Sequence, residues 1–122
     1  MLQNDFFNIT AVSGEGYSFT VMLELNATHR IFEGHFPGLP VVPGACLMQM
    51  VQEVTETVLS RKLKLIKADN IKFLKPIDPK GNRILQMHLS YSRREDESLY
   101  VSASLSDKER KCLKFTGLFL PE

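Results

Sequence analysis

Cysteine is scarce in this chain of 122 residues: only Cys46 and Cys112 occur. They stand far apart, without the paired spacing of zinc ligands. Reduced packing thiols are therefore expected, rather than a metal site or a disulfide framework. No apolar run approaches the length of a membrane-spanning helix. The opening Met1-Leu2-Gln3-Asn4-Asp5 has neither the basic nor the apolar part of a signal peptide. A cytoplasmic protein with no membrane partner is the expectation. Internal repeats, low-complexity segments and linkers are also missing, so residues 1–122 are expected to form one domain.

Strong net charge is absent too, at +1 overall, but the charge is unevenly distributed. Residues 1–60 carry Asp5, Glu15, Glu24, Glu33, Glu53 and Glu56 against Arg30 alone. Residues 61–83 carry Arg61, Lys62, Lys64, Lys67, Lys72, Lys75, Lys80 and Arg83 against Asp69 and Asp78. Such a basic segment suits an acidic partner or a phosphate-bearing ligand, and a solvated face of strands and turns is the rival reading. No nucleic-acid-binding motif accompanies it, so nucleic acid is not expected.

Hydrophobic periodicity gives the elements. Tyr17, Phe19, Val21, Leu23 and Leu25 alternate with polar or flexible neighbours, which predicts a half-buried strand. A shorter strand over 6–12 precedes it, with Ser13-Gly14-Glu15-Gly16 as the turn. A helix is predicted from about Gly44 to Ser60. Leu47, Val51, Val54 and Val58 fall on one stripe, and Gln49, Gln52, Glu53, Glu56 and Ser60 on the opposite arc. The remainder reads as strands: Leu63–Leu74, then alternating segments around Leu85–Tyr91, Leu99–Leu105 and Leu113–Phe119. A turn over Lys75–Asn82 and a hairpin over Arg93–Ser98 separate them. One helix with five or six antiparallel strands makes an α+β domain, with the helix across one face of the sheet. Its edge strands and leftover apolar surface suit a dimer.

The densest signal is Gly34-His35-Phe36-Pro37-Gly38-Leu39-Pro40-Val41-Val42-Pro43-Gly44, in which six of eleven positions are Gly or Pro. Pro fixes φ and lacks a donor, while Gly permits positive φ, so the run is a stiff loop and not an element. It holds one imidazole, His35, and feeds a helix start, where unsatisfied backbone N–H groups attract negative charge. A fixed base beside such donors is equipment for taking a proton from carbon next to a carbonyl.

This loop, the helix after it, and Lys72-Phe73-Leu74-Lys75-Pro76-Ile77-Asp78-Pro79-Lys80-Gly81 resemble the hot-dog-fold 3-hydroxyacyl-acyl-carrier-protein dehydratases of bacterial fatty acid synthesis. The resemblance covers nearly the whole strand order. It implies a hot-dog fold, an antiparallel sheet of five to six strands wrapped around one central helix. It implies removal of water from a 3-hydroxyacyl thioester. By the same resemblance His35 is the base, and the Val41 carbonyl sets its tautomer. Val41, Gly44 and Ala45 border the substrate, with the Gly44 N–H on the thioester oxygen. Each site is built at a dimer interface, histidine from one chain and acid from the other. The acyl group arrives on acyl carrier protein or coenzyme A, with Lys72 and Lys75 as candidate partner contacts. No metal or organic cofactor is implied.

One position departs from the pattern. The family's acid lies on the central helix fourteen residues after the histidine, and here that position is Gln49. An amide has the shape of a carboxyl but gives up no proton at neutral pH. The glutamine usual one turn later is Glu53 here, as if the two had been exchanged. Gln49 and Glu53 therefore join His35 as candidate catalytic residues, with solvated polar arc as the rival role for both. Three functions stay open: an atypical dehydratase, a hot-dog acyl thioesterase, and a non-catalytic carrier-binding subunit of a heterodimeric dehydratase. Gln49 motivates the expectation of a heterodimer with a relative that keeps the acid, beside the simpler homodimer or higher oligomer. His29 and His88 fall outside the motif and read as loop and strand-face residues.

Overall fold

The computed structural model describes residues 2–32, 42–81, 83–108 and 110–122. In chain order the elements are β1 (Phe7–Glu15), β2 (Ser18–Leu25), a short 3-10 turn (Arg30–Phe32), α1 (Gly44–Leu59), β3 (Leu63–Phe73), β4 (Ile84–Arg93), β5 (Leu99–Asp107) and β6 (Arg110–Pro121). All six strands belong to one antiparallel sheet in the order β1-β2-β4-β5-β6-β3. The segment containing the helix interrupts the meander after β2. The chain therefore re-enters at the far edge as β3, and β4 returns to pair with β2. This is the expected α+β hot-dog arrangement.

Period-two patterning decides which face is buried. Val21, Leu23 and Leu25 on β2, Leu85, Met87 and Leu89 on β4, Leu99, Val101, Ala103 and Leu105 on β5, and Leu113, Phe115 and Phe119 on β6 all point into one core. Helix α1 covers that face with Cys46, Leu47, Met50, Val51 and Val54. Each large apolar side chain removed from water there contributes about 1.5–3 kcal/mol before entropy is counted. The helix ends where Ser60 enters the left-handed region at φ 54°, its N–H closing back on the carbonyls of Glu56 and Thr57. Two residues of the polar arc then fasten the next strand. Gln52 Nε2 donates to the Leu63 carbonyl at 3.1 Å, and the Leu63 N–H donates to Glu56 at 2.9 Å.

Strand β3 is an edge, as is β1. Among the described residues it pairs with β6 alone, and it is bent by two register shifts, after Leu65 and after Ala68. Ile66, Ile71, Phe73 and the following Leu74 are exposed along it.

Three expectations need correction. The first turn is Gly16-Tyr17, not residues 13–16, since β1 runs on to Glu15 and pairs Gly14 with Phe19. Gly14 is a strand residue at φ 116°, where an added Cβ would collide with the Ser18 carbonyl oxygen. Its glycine answers a close backbone approach within the hairpin. Tyr17 accordingly sits in the turn, exposed, instead of joining the inward stripe of β2. Glu53 is buried at 1 % exposure, although the helical wheel sets it on the polar arc.

Candidate active site at the start of the helix

The proposed thioester-binding point is the N-terminus of α1. Pro43 is the cap residue, extended at φ −62° and ψ 145°, and it offers no side-chain oxygen to the first amides. No acidic residue lies in the first turn. The opening amides, those of Gly44 and Ala45 among them, have no intrahelical acceptor and carry the positive end of the helix dipole. Gly44 is half-buried because the Phe73 ring lies over it: a Cβ on Gly44 would meet Phe73 Cζ at 3.0 Å. Phe73 extends from the inner side of β3, opposite Leu113 in the ladder. It closes the helix start from the edge of the sheet. Sequence reading missed this residue, although it stands inside the Lys72–Gly81 segment that carried the resemblance.

Ala45, Gln49 and Glu53 follow at four-residue steps and line one strip of the helix. Ala45 and Gln49 are exposed; Glu53 is buried. Gln49 Nε2 donates to Glu53 Oε2 at 2.8 Å. The Glu53 carboxylate also accepts the backbone N–H of Leu2, at 2.8 Å and 3.0 Å to its two oxygens, and that of Gln3 at 2.7 Å. The structure thus joins Gln49 to Glu53 and spends the carboxylate on tying the N-terminal segment to the helix. A carboxylate holding three N–H groups in this way is a well-satisfied buried charge.

That bonding fixes how Gln49 faces outward. A carboxylate only accepts, so the glutamine must turn its NH₂ toward Glu53. Its carbonyl oxygen and second N–H remain for a ligand. The group can hold a hydroxyl or a water, but it cannot deliver a proton.

His35 and Val41 lie outside the described residues. Lys72 and Lys75 are both exposed, Lys72 on the outer face of β3 and Lys75 in the turn after it. Successive strand residues point to opposite faces, so Lys72 is on the far side of the sheet from Phe73 and Gly44. The two histidines outside the motif have local partners. His29 Nε2 donates to Asp5 Oδ2 at 3.0 Å while its Nδ1 accepts the Ile31 N–H at 3.1 Å. That hydrogen bond holds the Asp5 carboxyl below its ordinary value. His88 lies on an exposed strand face with Nδ1 3.1 Å from Thr20 Oγ1. Both cysteines are free and buried, and burial raises both thiol pKa values. Among the described residues, no group of three or more His, Cys, Asp or Glu could hold a metal ion, and no helix is long and apolar enough to cross a membrane.

Known proteins resemble this arrangement at three levels. The dehydratase FabZ of Nitratidesulfovibrio vulgaris (strain Miyazaki F), which acts on 3-hydroxyacyl groups on acyl carrier protein, is 36 % identical over 83 residues, covering 61 % of this chain and 49 % of the relative. FabZ of a Wolbachia from Drosophila simulans is 28 % identical over 81 residues, covering 61 % and 57 %. The chain spans about half the length of the curated relatives it matches. In fold, it superposes on a chain of the dehydratase heterocomplex ApeI:P from Xenorhabdus doucetiae with TM-score 0.73 at 20 % identity, over 92 % of this chain and 96 % of that one. The model of the ApeI-like family, described as ApeI dehydratase, matches residues 11–118. With nearly its whole length inside that match, the chain belongs to the ApeI-like dehydratase family.

Proposed function

We propose that the chain is a 3-hydroxyacyl thioester dehydratase subunit that completes its site with a relative retaining the acidic residue. The acyl group is presented on the phosphopantetheine of an acidic carrier protein. His35 takes the C2 proton, and the electron pair left on carbon forms the C2–C3 double bond. The departing 3-hydroxyl takes a proton from the partner's carboxyl and leaves as water. The Gly44 N–H, at the dipole end of α1, holds the charge that gathers on the thioester oxygen. Gln49, its NH₂ turned to Glu53, offers its carbonyl oxygen to a hydroxyl hydrogen and so orients the substrate without protonating it.

The observation that carries this reading is the pairing of a helix start that has no side-chain cap with a bound amide at the family's acid position. The first supplies a thioester grip; the second withholds the proton. A shared interface also suits the exposed apolar residues of the β3 edge, whose outer backbone groups have no ladder partner among the described residues. The ApeI:P neighbour is itself a heterocomplex.

The test is an assay with a 3-hydroxyacyl carrier thioester, on the chain alone and mixed with an acid-bearing relative from the same cells. Enoyl thioester is read by ultraviolet absorbance and free thiol by a chromogenic disulfide. The expected result is slow or no dehydration alone, with a gain of ~10²–10⁴ on mixing, the usual worth of a general acid. His35→Ala in this chain should remove most of that gain, because it disables the site that joins His35 to the relative's acid and leaves a second site that has Gln49 in the acid's place. Thiol release without enoyl product would make the chain a thioesterase. Binding without turnover in every mixture would make it a non-catalytic subunit.

A further inference from the structure

The outer face of the sheet, opposite α1, carries a groove of about 480 Å³ that the site above does not use. Two cross-strand rows fixed by the register supply most of its lining, Thr20 lying just beyond it. One runs Thr20, His88, Ser104, Lys114, Lys72 across β2, β4, β5, β6 and β3. The next runs Ser18, Ser90, Ser102, Thr116, Asn70 over the same strands. With neighbouring strands about 4.8 Å apart, each row sets side chains at that spacing over roughly 19 Å. The second row is all hydroxyl and amide, and the first ends in two ammonium groups.

Lys72 and Lys114 stand directly opposite each other in the β3–β6 ladder. Like charges in that relation destabilise a sheet. Neither has a carboxylate within 4 Å among the described residues. Lys111 adds a third ammonium to the lining, and no carboxylate lines the groove among the described residues. The acid beside it, Asp69, is engaged by Lys67 Nζ at 3.5 Å and by the Tyr100 hydroxyl at 3.2 Å. No carboxylate among the described residues relieves that repulsion, and a bound anion would.

We propose that this groove binds a small ligand bearing a phosphate or diphosphate group, which bridges Lys72 and Lys114 and takes hydroxyl donors from Ser102, Ser104 and Thr116. Charge selects an anion. Size and lining select a small one: the volume lies in the range of small-molecule sites, and the apolar lining residues Leu89, Ala103 and Phe115 are buried beneath the floor. A protein partner would lack the exposed aromatic or aliphatic anchor on which interfaces depend. A second copy docked face to face would set lysine against lysine. The groove shares Lys72 with the expected carrier contact but lies on the far face of the sheet from Gly44 and Gln49.

Calorimetric titration of the intact chain with pyrophosphate at low ionic strength tests it. The expected result is saturable binding at one site per chain, weakened at least tenfold by Lys114→Gln and by Lys72→Gln and several-fold by Ser102→Ala. Lys64→Gln, which removes the same charge outside the groove, should leave binding within twofold. Lys75→Gln should do so as well, which separates this site from the carrier contact expected of Lys72 and Lys75 together. Without ligand, Lys114→Gln should raise Tm, and pyrophosphate should raise the wild-type Tm more than that of the variant. Absence of saturable binding, or equal weakening by Lys64→Gln, would overturn the proposal. So would a carrier protein whose binding is lost in Lys72→Gln and Lys114→Gln while pyrophosphate fails to bind, because the face would then be a protein-docking surface.

Discussion

Gln49 gives an amide hydrogen to Glu53 across 2.8 Å, and the direction of that bond cannot reverse. Glu53 is already the acceptor of the Leu2 and Gln3 amides and lies at 1 % exposure. The orientation of the residue at the family's acid position is therefore set by a carboxylate one turn away, which is in turn set by the N-terminal segment. A glutamate at position 49 would meet Glu53 carboxyl to carboxyl.

Two carboxyls at that distance cannot both ionise, and one keeps its proton to higher pH. Gln49→Glu should therefore create a carboxylic acid that stays protonated further toward neutrality than an isolated one. Dehydration by the chain alone should rise by ~10²–10⁴, falling again on the alkaline side as the shared proton is lost. The rate of enoyl formation against pH measures it, and a flat profile with no gain would count against the role given to position 49.

Glu53→Gln keeps an acceptor but removes the charge that the Leu2 and Gln3 amides face. Loss of charge-assisted bonds to a buried group should cost about 1–3 kcal/mol. Thermal unfolding should show it as a lower Tm. Hydrogen exchange at Leu2 and Gln3 should accelerate more than exchange in β4 or β5. A loss spread evenly over the sheet would place the effect elsewhere.

Gly44→Ala puts a methyl 3.0 Å from Phe73 Cζ. The ring is more than half exposed, so it can yield, and the expected stability cost is under ~1 kcal/mol. Its consequence should appear in substrate binding, because the displaced ring no longer closes the helix start. Phe73→Ala combined with Gly44→Ala should cost less than the sum of the two, by about 0.5–1 kcal/mol of coupling in a double-mutant cycle. Additive effects would deny the contact.

Burial raises the Cys46 and Cys112 thiols above their ordinary 9.0. Thiolate is the reactive form, so both should resist iodoacetamide in the native protein and react together on unfolding. The linkage has a definite sign. A folded pKa above the unfolded value gives a contribution that is complete below the unfolded pKa and is lost as pH rises through the folded one. Cys46→Ala and Cys112→Ala should each flatten the alkaline limb of stability against pH above about 9, measured by urea unfolding.

Asp107 is buried at 1 % exposure, and its nearest cation is Arg110, with Nε 3.4 Å from Oδ1. Its oxygens have no hydrogen-bond partner among the described residues. Arg110→Ala should cost about 1–3 kcal/mol by leaving that charge uncompensated, toward the lower end because Arg110 is half exposed. Adding Asp107→Asn should recover most of the loss. Urea unfolding of the single and double variants decides it.

The legible parts of this molecule were those set by short-range pattern. Alternation of Leu85, Met87 and Leu89, or of Leu99, Val101, Ala103 and Leu105, places strands and their buried face without knowledge of partners. The stripe Leu47, Val51 and Val54 does the same for the helix, from Gly44 to the Ser60 cap. Burial of Glu53 was not legible, because its cover comes from Leu2 and Gln3, fifty positions earlier in the chain. The closeness of Phe73 to Gly44 was hidden for the same reason, since two distant segments meet there only once β3 takes the far edge. The first turn was misplaced because Gly14 and Gly16 both read as turn residues, and only the ladder shows that one of them is a strand glycine. His35 and Val41 lie outside the described residues, and the roles proposed for them rest on the resemblance.

The clamp on Leu2 and Gln3 has a practical side. Anything fused ahead of Leu2, an affinity handle or a reporter, hangs from amides whose acceptor also steers Gln49. The far end of β6 is free of that coupling, since Pro121 pairs with Leu63 at the end of β3 remote from Phe73 and Gly44. A fusion that strains those two amides would shift the residue at the family's acid position.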